Sequence, residues 1–157
     1  MTLATLLVTV AVFALVFYVI LWLPTLIYFW VFQAVTHQPA ANSTGAYLGA
    51  YLMLLLLGMF YLSVGCLASV LTKNQIVAAI ISFCIITLHF FSGLISFVLQ
   101  EVSSTTRQLL GYFSALEQMG TLSRGEIDTR PMVLYLSMTV VMLTLTYQAF
   151  QSRKWRL

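Results

Sequence analysis

Four apolar runs in this chain are each long enough to cross a bilayer, and almost nothing charged interrupts them. A helix needs about 20 apolar residues to traverse roughly 30 Å of hydrocarbon. The runs extend over residues 3–35, 47–71, 76–99 and 132–150. They are continuously apolar, without the period-2 alternation of a barrel strand, so each reads as a helix. The expected architecture is all-α: one polytopic membrane domain over residues 1–157. Composition agrees, because 7% charged residues cannot coat a water-soluble globule, which normally carries about 25%. The net charge of +3 comes from basic residues too few and scattered to make a phosphate-binding stripe, which excludes nucleic acid as a partner. Membrane lipid is the surrounding solvent.

The first run is about 33 residues, or ~50 Å at a helical rise of 1.5 Å per residue. That is too long for one upright crossing and too short for two. It reads as one tilted helix kinked at Pro24, where the proline ring removes a backbone hydrogen bond. The N-terminus has no basic n-region and no small-residue cleavage site, so it is a spanning helix and not a signal peptide.

Lys73 is the only Lys, Arg, Asp or Glu in the first hundred residues. It sits in the polar cluster Thr72-Lys73-Asn74-Gln75 between the second and third runs. Basic residues favour the cytoplasmic side of short loops. Placing the Lys73 turn and the tail residues Arg153, Lys154 and Arg156 inside leaves the uncharged loop THQPAANSTG and the acidic segment 100–130 outside. Both chain ends are then cytoplasmic. An N-in first helix usually carries a basic flank, and this one has none, so the structural unit is expected to begin before Met1.

The outer segment 100–130 holds all four acidic residues and three arginines. From Thr105 to Met119, residues Leu109, Leu110, Phe113, Leu116 and Met119 recur at helical spacing. This predicts a short amphipathic helix or a re-entrant element, broken or capped at Gly111 and Gly120. Asp128 and Thr129 offer N-cap chemistry for the last helix, with Pro131 in its first turn. Arg124, Glu126, Asp128 and Arg130 are close enough in sequence to pair.

His89 is the one side chain in the membrane interior that ordinarily titrates near neutral pH. Such a residue is either a relay, ligand or substrate contact, or a hydrogen-bond partner of a neighbouring helix. With it, Glu117, Arg124 and Asp128 are the candidate transport or gating residues. Gly58, Gly65 and Ser69 share one face of the second long helix, and Gly45 and Gly49 form a G-x-x-x-G at its outer end. Such faces allow close helix packing, within the chain or between subunits. Cys66 and Cys84 lie inside apolar runs without metal-ligand spacing and read as small hydrophobes. No nucleophile–base pair and no phosphate loop is present, since Lys73 lacks a preceding G-x-x-x-x-G. An enzyme is not expected, and the chain offers no catalytic, cofactor or metal residues.

The stretch GAYLGAYLMLLLLGMFYLSVGCLASVLTKNQIVAAIISF resembles the central helical hairpin of prokaryotic type-2 ABC exporter permeases. The nearest group is the one associated with gliding motility and nitrous-oxide-reductase maturation. SALEQMGTLSRGEIDTRPMVLYLSM is similar to that group's outer segment, with Ser123-Arg124-Gly125 and Ile127-Asp128 at matching places, and SRKW is similar to its basic tail. Together these cover residues 21–157, while Glu126 and Pro131 depart from the group's pattern. The resemblance implies a six-helix subunit in the cytoplasmic (inner) membrane that pairs with a second permease copy and with cytoplasmic ABC ATPases, which bind ATP and Mg. This chain then corresponds to the third to sixth helices, the first two and the cytoplasmic coupling element preceding Met1. Two other readings stand beside it: a small scaffold or assembly protein without transport activity, and a redox or ion-conducting subunit using His89. The few polar side chains in the helices, among them Ser63, Ser82, Thr87, Ser92, Ser96, Ser137 and Thr146, favour lipidic or amphipathic cargo over a hydrated ion.

Overall fold

The computed structural model describes residues 3–36, 44–98, 111–124 and 128–154. These form six helices: α1 (Leu3–Trp22), α2 (Thr25–Thr36), α3 (Thr44–Leu71), α4 (Gln75–Val98), α5 (Ala115–Ser123) and α6 (Thr129–Lys154). Four segments of this all-α chain are long and apolar enough to cross a membrane: Val8–Tyr28, Tyr47–Leu71, Gln75–Ser92 and Thr129–Ser152. Thr105, Leu109, Leu110, Gly125, Glu126, Ile127 and Arg156 lie outside the described residues.

The expected kink at Pro24 is a full interruption. α1 stops at Trp22 and α2 starts at Thr25, because proline has no N–H and its ring crowds the carbonyl four residues back. Tighter bonds bridge the gap: Leu23 N–H to Ile20 O at 3.2 Å and Ile27 N–H to Pro24 O at 3.1 Å. The Thr25 hydroxyl donates to Trp22 O at 2.6 Å, taking up a carbonyl freed by the break.

α3 is the organising element and packs against α1, α4, α5 and α6, most extensively against α6. Its buried residues Met53, Leu56, Leu57, Phe60, Val64 and Ala68 follow steps of three and four, the stripe of one helical face. Leu122 of α5 and Tyr135 of α6 complete this core. Most other large apolar side chains point outward, including Ile76, Ile80, Phe83 and Leu88 of α4. In water that surface is untenable; among lipid tails it is the expected exterior.

Lys73 is exposed in the short bend between α3 and α4. The neighbouring polar residues terminate and restart the helices there. Thr72 donates its hydroxyl to Ala68 O at 2.9 Å, and Asn74 Oδ1 accepts from Ile76 N at 2.9 Å, capping α4. The polar cluster is thus a turn, as expected from the sequence.

Candidate functional site

The segment 111–123 enters the bundle from the end opposite Lys73. Ser92 Oγ reaches Phe113 O at 3.3 Å, and Gly49 meets Leu122 at the other end of α5. Reckoned by helical rise, Ser92 is about 25 Å along α4 from Gln75, and Gly49 about 33 Å along α3 from Leu71. Phe113 thus lies nearer the Lys73 end than Leu122 by about 8 Å, and α5 runs away from that end between them.

A turn at that depth is tolerable only if its backbone groups find partners inside the protein. They do. Gly111 O accepts from Ser114 N at 3.1 Å and Ser114 O from Gln118 N at 3.2 Å. Phe113 O takes the Ser92 hydroxyl, and Tyr112 O takes the Gln118 side-chain amide in a short bond. Ser114 caps α5 by accepting Glu117 N at 3.2 Å. Gly111–Phe113 are helical, and the helix is interrupted at Ser114 before α5 starts at Ala115, a break that the Thr105–Met119 spacing did not suggest. Gly120 lies inside it and is not its end. The cap signature Ser114-x-x-Glu117 was readable in the sequence, but the apolar periodicity across it masked the break.

Close packing of α5 on α3 requires Gly49. A Cβ there would stand 2.6 Å from the Leu122 carbonyl oxygen, which is backbone and cannot swing aside. On the predicted small-residue face Gly58 makes a close contact among the described residues: the Tyr18 ring of α1 lies across it, and the Tyr18 hydroxyl donates to Leu54 O at 2.9 Å. Around Gly65 there is open space, and Ser69 is exposed.

Below α5 lies a polar-aromatic cluster about His89. The Tyr61 hydroxyl and His89 Nδ1 are hydrogen-bonded at 3.1 Å, joining α3 to α4. The imidazole is ringed by Phe60 at 5.2 Å, Tyr61 at 5.7 Å and Tyr135 at 5.9 Å between centroids. Phe60 is about 17 Å from Leu71 by helical rise, close to the middle of a ~30 Å hydrocarbon layer. The Tyr135 hydroxyl of this cluster and Gln118 Oε1 on α5 are buried without a hydrogen-bond partner among the described residues. Tyr135 is 0% exposed and Gln118 8%.

Of the candidate site residues, only His89 belongs to this cluster. Glu117 is exposed on α5 beside Gly111. Arg124 is the exposed C-cap of α5. Asp128 caps α6, its Oδ1 accepting Arg130 N at 3.0 Å, with Pro131 buried in the first turn as its N-cap chemistry predicted. The Arg130 guanidinium donates to the Tyr112 hydroxyl at 2.9 Å. Tyr61, Tyr135 and Gln118 were not singled out by sequence. The available signal was that a buried Tyr needs a partner for its hydroxyl, and that Gln118 is the one amide in α5.

Among the described residues no three His, Cys, Asp or Glu side chains come together as metal ligands. Cys66 and Cys84 are free, the second on the exposed side of α4. No family profile, curated protein or solved structure matches the chain.

Proposed function

We propose that this chain is the membrane subunit of an ATP-driven ABC exporter, or the C-terminal part of one, in a prokaryotic cytoplasmic membrane. The observation that supports the reading is the turn at Ser114 with the short helix α5 after it, seated against α3 and α4 just ahead of the last helix. It falls within the stretch that resembles the outer segment of those permeases. In this reading the Lys73 turn and the basic tail face the cytoplasm. ATP and Mg bind to partner ATPases, and a second permease copy supplies the other half of the path. Differential affinity of the ATPase for the inward- and outward-open bundles drives the exchange. α5 is the element that blocks the outer mouth, fastened by Ser92, Gln118 and Gly49. Glu117, Arg124 and Asp128 shape that plug and its links to α6, while His89 ties α3 to α4 beneath it.

The test is cross-linking in native membranes, followed by purification in mild detergent and identification of what is joined to the chain. A nucleotide-binding subunit bearing a phosphate loop, with Mg-dependent ATP hydrolysis in the purified assembly, supports the reading. Recovery of integral membrane partners alone, with no nucleotide-binding chain, overturns it in favour of a scaffold.

A further inference from the structure

The segment 111–123 is braced by its own hydrogen bonds. Ser114 N donates to Gly111 O, Gln118 N to Ser114 O and Glu117 N to Ser114 Oγ, while the Gln118 side-chain amide closes back on Tyr112 O. The turn and α5 are therefore one unit, and its two ends are held to the bundle in different ways. At the end far from Lys73, Leu122 is 0% exposed and its carbonyl lies against Gly49, where no Cβ intervenes. At the other end Ala115 buries only a methyl, and the Ser92 hydroxyl of α4 reaches Phe113 O at 3.3 Å. We infer that Leu122 on Gly49 is a pivot and Ser92 a releasable latch, so that α5 swings away from α4 while staying seated on α3.

A serine hydroxyl carries one proton, and Ser92 has two acceptors for it. Phe113 O lies at 3.3 Å and His89 O, one turn back on its own helix, at 2.7 Å. The shorter bond is inside the ordinary range for O–H···O and the longer one is outside it. Rotation of the hydroxyl moves the proton between a position that joins α4 to the turn and one that serves α4 alone. Phe113 O depends on that proton. In a continuous helix it would accept from Glu117 N, but this N–H is taken by the Ser114 hydroxyl. When Ser92 turns to His89 O, Phe113 O loses its donor. A bare carbonyl in apolar surroundings is costly, so the turn moves to where water meets it.

A second tie, from α6, has slack. Arg130 donates to the Tyr112 hydroxyl at 2.9 Å through two long, exposed side chains, and such arms follow a small rotation without parting. The His89 imidazole stays out of the motion, since its bond runs to Tyr61 of α3. The latch belongs to this chain alone and works whether or not the chain serves a transporter.

The experiment uses the whole protein in nanodiscs, with Cys66 and Cys84 replaced by Ala and a single reporter, Ala115→Cys or Leu122→Cys. Reaction with a water-soluble maleimide measures how often each end of α5 is uncovered. Ser92→Ala should raise the rate at Ala115→Cys roughly fivefold, equivalent to about 1 kcal/mol, and leave Leu122→Cys unchanged. Ser92→Thr keeps the proton and should restore the parent rate. Ser137→Ala is the control, because that hydroxyl also bonds back along its own helix, to Leu134 O at 2.8 Å; it should change neither rate. Hydrogen exchange of Ser114–Gln118 against Met119–Leu122, in the protein without reporters, makes the same comparison and stands in for a reporter that does not fold. Equal rates at Ala115→Cys with and without Ser92→Ala overturn the latch. A matching rise at Leu122→Cys overturns the pivot, since α5 then leaves α3 as a whole. A Ser92→Thr protein that reacts like Ser92→Ala shows that the proton is not responsible and also overturns the proposal.

Discussion

Replacing Tyr135 by Phe should make this protein more stable, while the same change at Tyr61 should make it less so. Both rings sit in the cluster around His89, and both substitutions delete one hydroxyl and keep the ring. At Tyr61 the hydroxyl is spent on His89 Nδ1 at 3.1 Å; without it α3 and α4 lose a polar tie and the imidazole loses its partner. Hydrogen bonds between membrane helices average about 0.6 kcal/mol and reach ~1.7, so Tyr61→Phe should cost about 1 kcal/mol. At Tyr135 the hydroxyl is fully buried with no partner among the described residues. An unsatisfied buried donor costs about 1–3 kcal/mol, and Phe removes that penalty while leaving the ring contacts to Phe60 and His89 at 5.9 Å in place. A gain of about 1 kcal/mol follows. Melting temperature in detergent should shift by roughly 2–4 °C in opposite directions for the two variants, and reversible unfolding in mixed micelles should give free energies of opposite sign. A Tyr135→Phe protein as destabilised as Tyr61→Phe would refute the reasoning, since the Tyr135 hydroxyl must then have a partner in the folded state.

Four further outcomes follow from the packing and capping. Gly49→Val should displace α5, because the new side chain meets the Leu122 backbone; a cost of about 1–3 kcal/mol is expected for such overpacking, and limited proteolysis of 111–128 should accelerate. Gly65→Ala, facing open space, should stay within about 0.5 kcal/mol of the parent in the same assay. Gly58→Val should force the Tyr18 ring off α3 and break its bond to Leu54 O, so Tyr18 becomes accessible to aqueous or membrane-soluble quenchers while α3–α6 packing persists. Ser114→Ala should remove the α5 cap at a cost of about 1 kcal/mol, and hydrogen exchange should rise first at Glu117.

Membrane character, four crossings and the turn at Lys73 were legible in the sequence because each depends on local quantities: run length, continuous hydropathy and a cluster of polar residues. The Asp128 cap was legible for the same reason, since a cap is a matter of two or three adjacent residues. His89 announced itself by chemistry alone, as an imidazole in an apolar run. Its neighbours did not, because Tyr61, Tyr135 and Phe60 come from α3 and α6 and look like any aromatic in a membrane helix. The polar-aromatic cluster exists only once helices far apart in sequence are laid side by side.

The start of α5 shows the limit from the other side. Periodic apolar residues run smoothly from Leu109 to Met119, so spacing predicted one helix; the chain instead turns at Ser114, because the hydroxyl of Ser92 and the amide of Gln118 are there to receive the carbonyls of Phe113 and Tyr112. Similarly Gly58, Gly65 and Ser69 share a face by arithmetic, yet among the described residues Gly58 is covered by Tyr18 of α1 while Gly65 faces open space. Solvent dictates from composition alone that this chain becomes a bundle of membrane helices. Which faces meet and which polar groups find partners are properties of pairs of helices, and only the tertiary arrangement decides them.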